Sequence, residues 1–167
     1  MNIVPPSPPE AKCPSSHILD ILNHCVPDVM KTMVGMSPLP GVGNEAAPHP
    51  SRLQGVTGSI GLSGNVAGIV YANFPEPLAK VVAEKTLGAV PSDQDIVDVV
   101  AELTNMITGN LKSRLCDMGY NCTLSIPTVV RGDQIAVSAK SATISVADEF
   151  PFDGMSDLLS VKVFATL

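Results

Sequence analysis

Between Ser92 and Gly119 the chain reads SDQDIVDVVAELTNMITGNLKSRLCDMG, and at 100° per residue this stretch has two faces of opposite character. Ile96, Val99, Val100, Leu103, Met106, Ile107 and Leu111 share one apolar arc. Opposite that arc, Asp98, Glu102, Asn105 and Gly109 fall at i, i+4, i+7 and i+11. An arc of this length has to be covered, so the spacing predicts a long helix laid by one side onto the rest of the fold. The ends agree. Ser92 can cap, Asp95 three residues on completes a capping box, and Pro91 sits just outside. Asp93 and Asp95 in the first turn and Lys112 and Arg114 toward the last complement the helix dipole, and Gly119 suits a left-handed residue past the end. At about 1.5 Å per residue such a helix runs roughly 40 Å, enough to cross a small domain.

Most amphipathic helices turn their polar face to water, usually with long Lys and Glu side chains in i,i+4 pairs. Here Asp98 and Glu102 place like charges at i,i+4, and Gly109 in mid-helix costs about 1 kcal/mol relative to alanine. Both features make sense if another molecule approaches this face closely.

The length, 167 residues, suits one domain with a real core, and 45% of the residues are hydrophobic. No apolar run approaches the eighteen or so residues of a membrane span, and the N-terminus lacks the pattern of a signal peptide, so neither membrane insertion nor export is expected. Cys13, Cys25, Cys116 and Cys122 show no CxxC spacing, which fits free thiols in a reducing cytoplasm. A net charge of −6 without a basic stripe argues against nucleic acid and is compatible with a basic protein partner. His17 and His24 have no Cys or carboxylate at ligand spacing, and no metal site is expected.

Taken in order, residues 1–15 carry Pro5, Pro6, Pro8, Pro9 and Pro14 and read as a flexible tail ahead of a single domain, 16–167. Ser15 or Ser16 opens a helix that Pro27 should kink or split and Gly35 should end. Residues 36–51 read as an exposed Pro/Gly-rich loop. Two strands follow, Gln54 to Leu62 and Val66 to Phe74, with Val56, Gly58, Ile60 and Leu62 on one face and Gly55, Thr57, Ser59 and Gly61 on the other. The glycines match neither GxxxxGK[ST] nor GxGxxG, so they indicate a hairpin whose outer face admits close packing rather than a phosphate site. Pro77 starts a short helix that Gly88 closes after Leu87. Beyond the long helix, Cys122 to Val130 is a strand interrupted by Pro127 and therefore at an edge or bulge. Gly132-Asp133 reads as a turn, Gln134 to Ala139, Thr143 to Ala147 and Leu158 to Leu167 as strands, and Asp148 to Asp157 as a loop. The sum is an α+β fold of two layers: a mostly antiparallel sheet of about six strands with helices packed on it.

The run ELTNMITGNLKSRL followed by LSIPTVVRG resembles the signature of the CheC/CheX/FliY family of bacterial chemotaxis phosphatases. That signature is an acidic or serine residue, three positions, Glu, two positions, Asn, and a proline some twenty residues on. Asp98, Glu102, Asn105 and Pro127 fill it, with 21 residues (106 to 126) between the last two. The resemblance covers Asp95 to Gly132 and agrees with the order of elements around it. Some members carry the ExxN pair on two related helices. Setting MVG at 33–35 against MITG at 106–109 puts Val29 opposite Glu102 and Thr32 opposite Asn105, so the chain resembles the one-site CheX type.

The resemblance implies a CheC-like fold and a cytoplasmic, homodimeric phosphatase acting on a phosphorylated CheY-like response regulator. By it, Asn105 enters the regulator's site and orients the water that attacks the aspartyl phosphate. Glu102 pairs with a regulator lysine, Asp98 extends the docking surface, and Gly109 leaves clearance. Pro127 shapes the neighbouring strand. The protein needs no cofactor of its own, and any Mg²⁺ belongs to the regulator. The residue types suit this chemistry. An acyl phosphate has a good leaving group and lacks only a water held in line behind phosphorus, and a carboxamide can accept from that water while donating to a phosphoryl oxygen. The alternative is a non-catalytic adaptor that binds a response regulator or a flagellar switch component through the same face.

Overall fold

The computed structural model describes residues 15–45 and 51–167. The proline-rich tail, 1–14, lies outside these residues, and Ser15 already belongs to the first helix, α1 (Ser15–Val29). The remaining elements are β1 (Val42–Asn44), β2 (Ser51–Gly64), β3 (Ala67–Phe74), α2 (Glu76–Leu87), α3 (Asp93–Asp117), β4 (Cys122–Leu124), β5 (Thr128–Val137), β6 (Ile144–Pro151) and β7 (Leu158–Thr166). Among the described residues seven strands make one sheet in the order β1-β6-β7-β3-β2, with β4 and β5 both on the far side of β2. Every pairing is antiparallel. The three helices pack on one face and enclose the main core, in which Leu22, Met30, Phe74, Leu78, Ile107, Leu111 and Phe150 are fully buried. Among the described residues no helix is long and apolar enough to cross a membrane.

Pro27 does not break α1 where it stands. The helix runs through it and widens three residues later into a π turn, Met30–Val34, which ends at Gly35 in the left-handed region (φ 74°). The expected loop at 36–51 contains β1, which pairs with the outer edge of β6 through Val42↔Glu149 and Asn44↔Ala147. Three residues with neither alternation nor burial leave no local strand signal. They pair because Asn23 and Pro151 hold the preceding segment: Gly41 N–H donates to Asn23 Oδ1 (2.9 Å) and Leu39 N–H to Pro151 O (2.8 Å). The expected loop at 148–157 likewise begins later, since β6 runs through Pro151.

Gly132-Asp133 is not a turn. It lies inside β5, where the register against β2 shifts between Leu53 and Gly55 and Gln134 adopts φ 58°. Turn-type residues here make a bulge that bends the β2–β5 pair over the sheet's outer face. Lys162 Nζ donates to Arg52 O (3.5 Å) and Asn73 Nδ2 to Gln54 O (2.9 Å) across that bend. A second small cluster forms beneath it, Phe164 and Ala147 with Ile69, Tyr71, Val137 and Ala139 packed against them. As a result β7 is buried on both faces. Close approach occurs on both faces of the hairpin: Gly55 of the expected outer set lies against the backbone of Phe74 to Glu76, and Gly58 of the other set lies against α3. A Cβ on Gly58 would overlap the Thr104 side chain, whose own Cβ would be 2.8 Å away, so the central helix sits down on the sheet at this point.

Candidate functional site

The site is built on α3, whose position is set at its start. Ser92 N–H donates to Asp95 Oδ2 (2.8 Å) and Asp95 N–H to Ser92 Oγ (3.1 Å), the expected capping box, and Ser92's hydrogen bonds hold the Asp95 carboxyl below its ordinary range. Arg131 on β5 joins two helix starts: Nε and Nη2 donate to the Glu76 carboxylate on α2 (2.6 and 2.8 Å) and Nη1 to Asp93 on α3 (3.1 Å). That fork lowers the pKa of Glu76, chiefly through the hydrogen bond itself. Further along, Ile96, Val99, Val100, Leu103, Ile107 and Leu111 are buried as the periodicity requires, while Met106 is only half-buried. Thr104 and Thr108 are also buried and turn their hydroxyls back onto Val100 O and Thr104 O (2.7 and 2.8 Å).

The opposite face is open. Asp98, Glu102 and Asn105 are exposed in succession along it, and nothing lies within 4 Å of the place a Cβ would take on Gly109. Among the described residues no hydrogen bond or ion pair holds the side chain of Glu102 or Asn105, whereas Asp98 accepts from Gln94 Nε2 (2.8 Å) on its own helix. Pro127 sits in the break between β4 and β5, where Ser125 Oγ accepts from Gly61 N–H (2.8 Å). It therefore interrupts an edge, as expected, beside the helix rather than on its open face. At the end of α1 Val29 is buried, and Thr32 in the π turn carries no ionisable or amide group, so the first helix and its π turn offer no second pair.

Beside the acidic face lies a groove of about 240 Å³, lined by Met33, Leu87, Val99 and Leu103 with Asp98 and Glu102 at its rim. Met33 and Leu87 are 37% and 48% exposed. Both read from sequence as ordinary apolar positions of their helices, and no local pattern says that the packing leaves them uncovered. A larger hollow of about 560 Å³ between α1 and the end of α3 carries Asp28 and Asp117 with Arg114 and His24 beside them. Cys25, which lines it, is a buried thiol pushed up to about 12 by desolvation and stays protonated. Among the described residues no group of three His, Cys, Asp or Glu side chains is placed to hold a metal ion.

An α+β chain with a CheC-like fold and an ExxN pair on one open helix face belongs with the chemotaxis phosphatases of the CheC/CheX/FliY type. The model of the CheX chemotaxis phosphatase family matches residues 56–150, and the chain belongs to that family. The CheY-P phosphatase CheX of Thermotoga maritima is 25% identical over 145 residues, which cover 83% of this chain and 93% of that protein. The crystal structure of the chemotaxis protein CheX from Desulfovibrio desulfuricans superposes with a TM-score of 0.79 at 26% identity, covering 89% of this chain and 99% of the other. The CheX-CheY-BeF3-Mg²⁺ complex from Borrelia burgdorferi contains a chain of the same fold, with a TM-score of 0.73 at 18% identity over 90% of this chain and 98% of that one.

Proposed function

We propose that the protein hydrolyses the aspartyl phosphate of a CheY-like response regulator in the cytoplasm, working through the open face of α3. The observation that carries this is the pair Glu102 and Asn105, one turn apart on an exposed helix face that nothing in the described chain covers. Membership of the CheX family and the named activity of the Thermotoga relative support it. A crystallised complex of a like-folded CheX with CheY, BeF3 and Mg²⁺ supports a CheY-like regulator as the partner.

In this mechanism Asn105 enters the regulator's site and its carboxamide oxygen accepts from the attacking water, holding it in line with the scissile P–O bond. Glu102, one turn earlier, pairs with a lysine beside the phosphorylated aspartate and sets the depth of insertion. Asp98 extends the contact, and Gly109 leaves room for the incoming backbone. The Mg²⁺ that neutralises the phosphoryl oxygens is the regulator's. Two copies of the chain pair through their sheets, as in the one-site relatives that the sequence resembles.

The test is the dephosphorylation rate of the host's receiver-domain proteins, charged with a small phosphodonor, with and without this protein. Wild type accelerates one of them, and Asn105→Ala reduces that acceleration by about 100-fold with its circular dichroism unchanged. Glu102→Ala acts mainly on KM, raising it by about tenfold, as loss of a charge-assisted hydrogen bond requires. Undiminished turnover in Asn105→Ala rules the mechanism out. Binding to a regulator without any acceleration gives the face to an adaptor instead.

A further inference from the structure

The groove beside the site has three carboxylates at its rim, Asp95, Asp98 and Glu102, and no Lys, Arg or His among the residues that line it. Its floor and far wall are apolar: Val99 and Leu103 from α3, Met33 from the π turn and Leu87 from the last turn of α2. The Thr86 hydroxyl is spent on Val82 O (2.8 Å) within its own helix, so it does not make the groove more polar. Gly88, left-handed at φ 69°, ends α2 immediately after Leu87 and leaves that side chain at the mouth. A volume of about 240 Å³ is below the roughly 300–1,000 Å³ of small-molecule pockets. An anion is excluded by the carboxylates. What fits is one apolar side chain presented next to a cationic one.

From this we infer that the groove is a specificity pocket for the partner protein, taking an aliphatic or aromatic side chain that lies beside a lysine or arginine on the regulator's surface. The inference rests on the reading that a response regulator docks on α3, and it adds which feature of the regulator decides whether it docks. Asp98 and Glu102 belong both to the groove's rim and to the open face, so one approach engages both surfaces. The regulator's basic residue is met by the rim while its apolar neighbour is withdrawn from water against Met33 and Leu87, and burial of an apolar group there adds affinity without touching the reacting atoms. A regulator with a polar or acidic residue at that place leaves the groove unfilled or repelled, which makes the pocket a filter among receiver domains of one cell.

The experiment is steady-state dephosphorylation of the regulator on which wild type acts, with Leu87→Glu, Leu87→Met and Val90→Glu. Val90 is 82% exposed, three residues further on and outside the groove, so it controls for added charge alone. Leu87→Glu raises KM at least fivefold with kcat changed less than twofold, Leu87→Met stays within twofold of wild type in both, and Val90→Glu leaves KM unchanged. An unchanged KM in Leu87→Glu, or an equal rise in Val90→Glu, overturns the pocket. If wild type accelerates no regulator, the phosphatase reading fails separately, and the pocket is judged by calorimetric binding of BeF3-activated regulators: weaker binding to Leu87→Glu supports it, and equal binding or none overturns it. Loss of a wild-type dimer in Leu87→Glu, measured by light scattering, assigns the groove to a second copy and likewise overturns the proposal.

Discussion

The open face of α3 presents three kinds of side chain at Glu102, Asn105 and Gly109: a charge, a carboxamide and none. The glycine is the informative one, because nothing in the described fold asks for it. No atom beyond its neighbours and its own helix backbone lies within 4 Å of a Cβ at Gly109, and its backbone is not in the left-handed region. Alanine there should therefore stabilise the helix by about 0.5–1 kcal/mol through its higher propensity, seen as a raised Tm. If the residue is small for the sake of a partner, Gly109→Leu keeps at least wild-type stability and raises KM for the phosphorylated regulator. A drop in Tm for Gly109→Ala would mean that the position has a structural role after all.

At the scale of elements, the seat of α3 on the sheet is the contact between Gly58 and Thr104. Gly58→Ala forces the helix away from β2 and should cost about 1–3 kcal/mol, read as a lower urea midpoint. Adding Thr104→Ala to that variant recovers part of the loss. If Gly58→Ala is as stable as wild type, the helix is not held there. A second junction ties α1, the segment before β1 and β6. Asp148 is fully buried, accepts from Asn23 Nδ2 (2.6 Å), and its Oδ1 has no partner among the described residues. Burial, with a smaller contribution from the neighbouring Glu149 charge, pushes its pKa up to about 6. A carboxyl whose folded pKa lies above its unfolded one favours the fold fully below about pH 4, and that contribution is lost as pH rises through about 6. Asp148→Asn should accordingly be more stable than wild type at pH 7, by roughly 1–3 kcal/mol, and the advantage should vanish near pH 4. Urea unfolding across that range checks it; an advantage independent of pH would show that the carboxyl's charge is not the cause.

For the whole molecule, a sheet with exposed strand edges on β1 and β5 and helices on one face makes a homodimer through the sheets a direct expectation of the proposed function. Light scattering at about 10 μM should return twice the chain mass, and a monomer would overturn that expectation. What the sequence by itself determined is what short-range chemistry encodes. The α3 periodicity with its Ser92–Asp95 box, α2 between Pro77 and Gly88, the β2–β3 hairpin and the ExxN pair each depend on residues within a few positions of one another. Only the tertiary structure decided that Val42–Asn44 is a strand, that Gly132–Gln134 bulges rather than turns, and that β7 is covered on both faces. It alone leaves Met33 and Leu87 at the mouth of a groove. In each of these cases the deciding partner is far away in the chain, Asn23 and β6 for β1, the first residues of β2 for β5 and β7, and α3 for Leu87. A local pattern can say that a side chain is apolar, but whether it is buried depends on what the rest of the chain places against it.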